Sequence, residues 1–216
     1  TKIMFKGLDS PPTAISSYYG SVPAQSHSGK TTEMINLFMI GCEDGTLRIG
    51  SLQDFVHDIQ NTMTVKLQSS SSMISTIQYV SDFDVIVCGS MDGNVYLYFF
   101  EMVGSIVSGL TIRQRKPVRV FNHHSRPVLS LQYLKESHSI LSAGLDEVIL
   151  LWGIADFSIL SYIKTGVSSK CAIALEDIGQ VVSLDANVTL LNGHFHQGFR
   201  VWNLFGGKNL QIIELT

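Results

Sequence analysis

Residues 24–31, AQSHSGKT, have the spacing of a phosphate-binding loop in which Ala24 stands where the first glycine would be. That chemistry needs backbone N–H groups at the mouth of a helix, with Lys30 and Thr31 reaching the phosphates. The run that follows, TEMINLFMIG, leads into an Asp-Gly pair and reads as a strand. The segment is therefore expected to be a polar, serine-rich surface loop between two strands. A second cluster, RQRKPVR at 113–119, concentrates positive charge in Arg113, Arg115, Lys116 and Arg119. Such a run can dock an acidic protein, RNA or lipid headgroups. It lacks the interleaved aromatics that grip single strands, and reads more simply as a solvated connection.

Two further sets of side chains are weaker. His194 and His196 in GHFHQG share one side of an extended chain, but no third metal ligand is near them in sequence, so they read as solvent-facing loop histidines. His57 and Asp58 have no nucleophile pattern around them, and the chain contains no GxSxG, HExxH or DFG motif. Cys42, Cys88 and Cys171 are far apart, odd in number and without a CxxC pair. They indicate neither a zinc site nor a disulfide framework. Cys42 and Cys88 sit in apolar runs, as small buried hydrophobes do, which fits a reducing compartment. No catalytic set, metal site or cofactor is expected, and the chain reads as a non-enzyme.

The elements that would carry these residues repeat. IGCEDGTLRIGSL around Asp44, CGSMDGNVYLYFF around Asp92 and SAGLDEVILLWGI around Asp146 share one grammar: a β-favouring run, small residues, an acidic residue, a tight turn and a second β-favouring run. Asp-Gly is a strong hairpin signal, because Asp tolerates the left-handed conformation and Gly has no Cβ to clash. The three aspartates are 48 and 54 residues apart, and a fourth unit ends in GFRVWNL, with Trp202 50 residues after Trp152. Alternating runs precede each unit (TAISSYY, ISTIQYV, VLSLQYL, CAIAL), and further extended runs precede those (KIMFKG, MTVKLQ, PVRVFN, LSYIKT). In the fourth unit VVSLDAN and GFRVWNL look like halves of one hairpin split by VTLLNGHFHQ, with Asn187 near the turn-aspartate position. QDFVHDIQ at 53–60 is too short a helical pattern to change the class. Four copies of a four-stranded antiparallel unit predict an all-β propeller rather than a sandwich, which needs no recurrent turn chemistry.

At these motifs the sequence resembles the WD-repeat family. The third unit, HHSRPVLSLQYLKESHSILSAGLDEVILLWGI, is the closest to the family pattern. The resemblance places His124 at the family's histidine, Ser142 at its strand hydroxyl, Asp146 at its turn aspartate and Trp152 at its tryptophan, four side chains joined by hydrogen bonds inside a blade. Asp44 and Asp92, together with Trp202, mark the blade-turn motifs of the other units. Departures are plain: Leu8 and Gly50 replace His and Trp in the first unit, Tyr98 replaces Trp in the second, and no histidine precedes Ile74.

The family also implies that each blade takes its outermost strand from the start of the next repeat. One domain over 1–216 then divides into blades near 8–68, 69–121, 122–165 and 166–216, and residues 1–7 are left as an orphan outer strand. The expectation is a portion of a larger propeller, or one closed by a partner chain.

Composition fits a packed, structured chain: 45% hydrophobic and 15% charged residues, below the roughly 25% charged of an average globular chain. A formal net charge of -3 gives no reason to expect nucleic acid. No apolar stretch reaches the ~18 residues that span a bilayer, and no signal segment is visible at the start. The expected function is a non-catalytic scaffold that binds proteins within a complex in the cytoplasm, or in a nuclear or cytoskeletal assembly. The alternatives are an RNA-associated module using the basic cluster and, less favoured, a nucleotide binder using residues 24–31. Partner contacts are expected on loops held by the rigid frame: Asp9, Ser10, His123, Ser125, Arg126 and Ser168, with turn residues near Glu43, Met91 and Leu145.

Overall fold

A computed structural model describes residues 10–26, 29–51, 63–66, 72–100, 102–103, 117–187, 189–191 and 194–215. Most of these residues are strand. They divide into two compact units, one within Thr1–Ser90 and Val95–Val120, the other within Met91–Asn94 and Phe121–Thr216. The expected orphan strand at 1–7, the run 53–60 (with His57 and Asp58), Leu8 and Asp9 lie outside the described residues.

In the first unit, β1 (Pro12–Ser26), β2 (Gly29–Cys42), β3 (Thr46–Ser51) and β4 (Met63–Lys66) form an antiparallel sheet, and β8 (Met102–Val103) adds a short parallel pairing to the end of β1. The second sheet runs β5 (Ile74–Val80), β6 (Val85–Ser90), β7 (Val95–Phe99) and β9 (Arg119–Phe121). Sequence alternation decides which residues of the first sheet meet the second. Leu37, Met39, Leu47 and Ile49 point to one side and form a single core with Ile74, Ile77, Tyr79 and Ile86. The Thr13 hydroxyl links the two sheets at the backbone carbonyls of Gly41, 3.1 Å away, and Ile74, 2.5 Å away.

The second unit repeats the pattern. β10 (Val128–Leu134), β11 (Ser139–Gly144), β12 (Val148–Gly153) and β13 (Ile159–Lys164) form the third sheet. The fourth contains β14 (Ser169–Leu175), β15 (Gln180–Asp185), β17 (His194–Asn203) and β18 (Asn209–Leu215), with a single 3-10 turn over Glu176–Ile178. β16 (Thr189–Leu191) pairs with the first residues of β17, so the insertion that splits the fourth unit is a small hairpin built on an extended β17. The middle strands β11 and β12 are buried along their whole length, which is why SILSAG and VILLWG carry near-continuous apolar residues, whereas β14 alternates buried and exposed positions. Side chains also key these two sheets together: the Gln132 amide both donates to the Ala174 carbonyl and accepts from its N–H, and Ser130 does the same at Ala172.

Two expectations about local structure are corrected here. Residues 24–26 and 29–31 are strand rather than loop, because β1 runs to Ser26 and β2 starts at Gly29; the two strands pair up to the contact of Ser26 with Gly29. Lys30 and Thr31 stand on a strand with no helix behind them, so no helix-terminal N–H groups are available for a phosphate. His194 and His196 are likewise strand residues of β17, paired across to Leu191 and Thr189, rather than loop residues.

Candidate interaction surface

The third sheet brings His124, Ser142, Asp146 and Trp152 together. Trp152 Nε1–H donates to Ser142 Oγ at 2.7 Å, Ser142 Oγ lies 2.8 Å from His124 Nε2, and His124 Nδ1 lies 2.8 Å from Asp146 Oδ2 and 3.0 Å from Oδ1. Donors and acceptors balance when Nδ1 carries the imidazole proton: Ser142 accepts from the indole, donates to Nε2, and Nδ1–H donates to the carboxylate. The His124 and Asp146 side chains are 1% and 2% exposed, so any one of these groups left alone would keep its full desolvation penalty.

Local sequence explains how the loop reaches the turn. Gly144 lies so close to the Pro127 carbonyl that an added Cβ would strike it. That lack of a side chain lets the loop entering β10 lie against the end of β11, and Leu145 N–H donates to Pro127 O at 2.9 Å. The same backbone lock recurs in two other sheets, from Glu43 N–H to Pro11 O at 2.9 Å and from Ala186 N–H to Ser168 O at 2.7 Å. No motif in the sequence announced this lock, and only the third sheet has a glycine before the locked residue.

The network holds a patch of exposed residues. Ser125 N–H donates to Asp146 Oδ2 at 3.1 Å, and the exposed His123 ring meets Trp152 edge-on with centroids 5.1 Å apart. Phe121 packs on the same indole at 4.7 Å. Arg126 is exposed and leans over the Leu145 carbonyl. Of the other expected contact residues, Ser10 is half-buried and accepts from Asp44 N–H at 3.0 Å. Ser168 is buried, donating to Leu145 O at 2.8 Å, which removes it from the exposed surface. Glu43 is exposed, whereas Met91 and Leu145 are half-buried. In the basic cluster, Arg119 is an exposed residue of β9, and Arg113, Arg115 and Lys116 lie outside the described residues.

The remaining turns use simpler chemistry. Asp44 Oδ1 accepts from the Thr46 hydroxyl at 2.7 Å and from Thr46 N–H at 3.1 Å. Partial burial works against the charged Asp44 carboxylate, but the hydrogen bonds from Thr46 and Ser10 outweigh it and hold the group below the ordinary range. Asp92 accepts from Asn94 N–H at 2.9 Å. By register, Ile40 and Gly50 of the first sheet replace Ser142 and Trp152, and Cys88 and Tyr98 replace them in the second.

The fourth sheet retains part of the network. Trp202 is a β17 strand residue, not a turn residue, and its Nε1–H donates to Ser183 Oγ at 2.9 Å. In place of a turn aspartate bonded to histidine, the end of the split hairpin carries an ion pair of Arg200 with Asp185 at 3.0 Å.

Residues 61–98 and 115–153 match the family model for the WD domain, G-beta repeat. These two stretches are WD repeats. Each matched stretch starts at an outermost strand, β4 or β9, and runs through the three inner strands of the following sheet, so one WD repeat spans two successive sheets. The strongest WD network falls inside the second matched stretch, from His124 to Trp152. No curated protein matches the chain. Among the described residues no helix is long and apolar enough to cross a membrane, and no cluster of three His, Cys, Asp or Glu side chains is positioned to hold a metal ion. WD repeats generally mediate protein–protein contacts and are typically non-catalytic.

Proposed function

We propose that this WD-repeat chain is a non-catalytic scaffold that holds other proteins within a complex. The observation that carries the reading is the anchoring of exposed polar residues on a buried network: Ser125 hangs from Asp146 and His123 rests on Trp152. A surface whose side chains are already ordered loses less conformational freedom when a partner binds. His123, Ser125 and Arg126 form the contact patch in this reading, and the open sheets are covered by further blades or by a partner chain.

The RNA-associated alternative rests on Arg113, Arg115, Lys116 and Arg119, and the net charge of -3 argues against it as the principal role. A cytoplasmic location, with nuclear or cytoskeletal complexes as variants of it, is supported by three cysteines that remain free thiols.

Affinity purification of the intact protein tests the scaffold reading. A defined set of proteins should co-purify with the natural chain, and Arg126→Glu with His123→Ala should deplete them while the melting temperature stays unchanged. Recovery of no protein, or a set indifferent to both substitutions, would remove this patch as the contact surface. RNA in the purified material that falls away when Arg113, Arg115 and Lys116 are neutralised would favour the alternative.

A further inference from the structure

The tip of the second hairpin, Met91–Asn94, belongs to the same compact unit as the third sheet. Gly93 lies in this tip and is buried, although Asp92 before it is exposed. A Cβ built on Gly93 would stand 2.6 Å from the His124 carbonyl oxygen and 3.0 Å from that of Arg126. Both oxygens are backbone of the loop that carries His123, Ser125 and Arg126, so they cannot swing aside as a side-chain tip can. The loop is also pinned on either side of Arg126. The His124 ring is tied to Asp146 and Ser142, and the Pro127 carbonyl accepts from Leu145 N–H at 2.9 Å.

Two reasons for a glycine meet at this position, and the third hairpin separates them. The first is backbone conformation: φ at Gly93 is 86°, in the left-handed region that glycine adopts freely. Yet Glu147 holds the same place after the turn aspartate of the third hairpin, with φ 64°, and it is exposed. Such a turn therefore accepts a side chain, at a cost in strain, where the side chain has room. The second reason is close approach, and at Gly93 it remains. No residue with a Cβ fits against the two carbonyls unless the loop or the turn shifts.

We infer that Gly93 is a positioning residue for the contact patch: its bare Cα sets how close the loop lies to the second hairpin, and so where His123, Ser125 and Arg126 stand. The inference rests on the proposal that these three residues meet partner proteins. The patch is then shaped by two hairpins. Asp146 and Trp152 of the third hold Ser125 and His123, and the tip of the second fixes the backbone on either side of Ser125, at His124 and Arg126. A shift that admits a Cβ loosens first the bond from Ser125 N–H to Asp146. At 3.1 Å that bond is already longer than the ~2.9 Å upper end typical of a charge-assisted one. A partner reading the patch feels the change although Gly93 itself is buried.

Hydrogen exchange of the full chain, followed by mass spectrometry, tests this together with affinity purification. Asn is the substitution of choice, because it tolerates the left-handed region better than most residues with a Cβ. Gly93→Asn should speed exchange in the peptide 121–126 by roughly tenfold as the Ser125 bond loosens, and should deplete the captured proteins. Gly93→Ala should do the same with a larger fall in melting temperature, since it adds backbone strain. Gly45→Asn puts the same residue in the first hairpin, where φ is 77°, and should leave both the exchange of 121–126 and the captured set as in the natural chain. Natural exchange of 121–126 in Gly93→Asn overturns the inference and leaves the patch itself standing. Equal acceleration by Gly45→Asn also overturns it, by marking a general loss of stability. Faster exchange with an undiminished captured set would remove the patch as the contact surface, and with it the positioning role of Gly93.

Discussion

Ser183 Oγ accepts the indole N–H of Trp202 at 2.9 Å, as Ser142 accepts that of Trp152 at 2.7 Å. Both pairs are buried, so the indole has no water to replace a lost acceptor. Ser183→Ala should destabilise by about 1–3 kcal/mol. Ser142→Ala should cost more, because it strands His124 Nε2 as well as the indole. Denaturant midpoints for the two variants decide it; equal losses would mean that the histidine contact contributes nothing.

His124→Ala and Asp146→Ala each leave the other group buried without its partner. Each should cost about 1–3 kcal/mol, and the double variant should cost less than the sum of the two single ones. Chemical denaturation of the set is a double-mutant cycle. Additive losses would show two independent side chains rather than one network.

Glu147 occupies in the third hairpin the place that Gly45 and Gly93 hold in the first two. All three have positive φ, at 64°, 77° and 86°. A side chain in this region is strained, whereas glycine is not. Glu147→Gly should stabilise the protein by up to about 1 kcal/mol, the strain relief of ~1–2 kcal/mol being partly offset by the backbone freedom glycine gains when unfolded. A thermal melt that falls with this substitution would mean that the Glu147 side chain makes a compensating contact.

Much of the fold was legible because its signals are local. Asp44-Gly45 and Asp92-Gly93 fix tight turns, and the apolar runs on either side of each turn name the middle strands. The fourth unit was legible only in part. Ser142 and Trp152 are 10 residues apart, but Ser183 and Trp202 are separated by 19, because the β16 hairpin is inserted between them. Spacing therefore hid Ser183, although its strand was recognisable. The Arg200–Asp185 pair depends on which residues of β15 and β17 lie opposite one another, and the insertion masks that register too. Ser168 carried every sign of a surface loop residue, and only the packed structure turns its hydroxyl inward to Leu145.

Tyr98 holds the register of Trp152 in the second sheet, facing Cys88 where a serine would be needed. Its hydroxyl is buried with no hydrogen-bond partner among the described residues. Burial raises the pKa of the phenol, and the neighbouring Cys88 and Tyr96 raise it further. Tyr98→Phe removes an unpaired polar atom and keeps the ring, so it should be neutral or stabilising by up to about 1 kcal/mol. A loss of more than that in a denaturant titration would show that the hydroxyl has a partner in solution.

Glu176 reaches back from the fourth sheet to the turn after β10, accepting from the Ser137 hydroxyl at 2.7 Å, Ser137 N–H at 3.0 Å and Glu136 N–H at 3.2 Å. Partial burial pushes its carboxyl up, but these donors outweigh that and hold its pKa below the usual 4.5. A carboxylate with a lowered folded-state pKa adds stability above its unfolded pKa and loses it as pH falls through the folded one. Glu176→Gln should therefore lower stability at neutral pH by about 0.5 kcal/mol, a modest figure because solvent screens so exposed a group. Measured as denaturant midpoints, the gap between natural and variant chains should shrink as pH drops from about 5 to about 3. A gap that stays constant over that range would mean that the two N–H groups and the hydroxyl bind the neutral amide as well as the carboxylate, and that the latch is a matter of shape rather than charge.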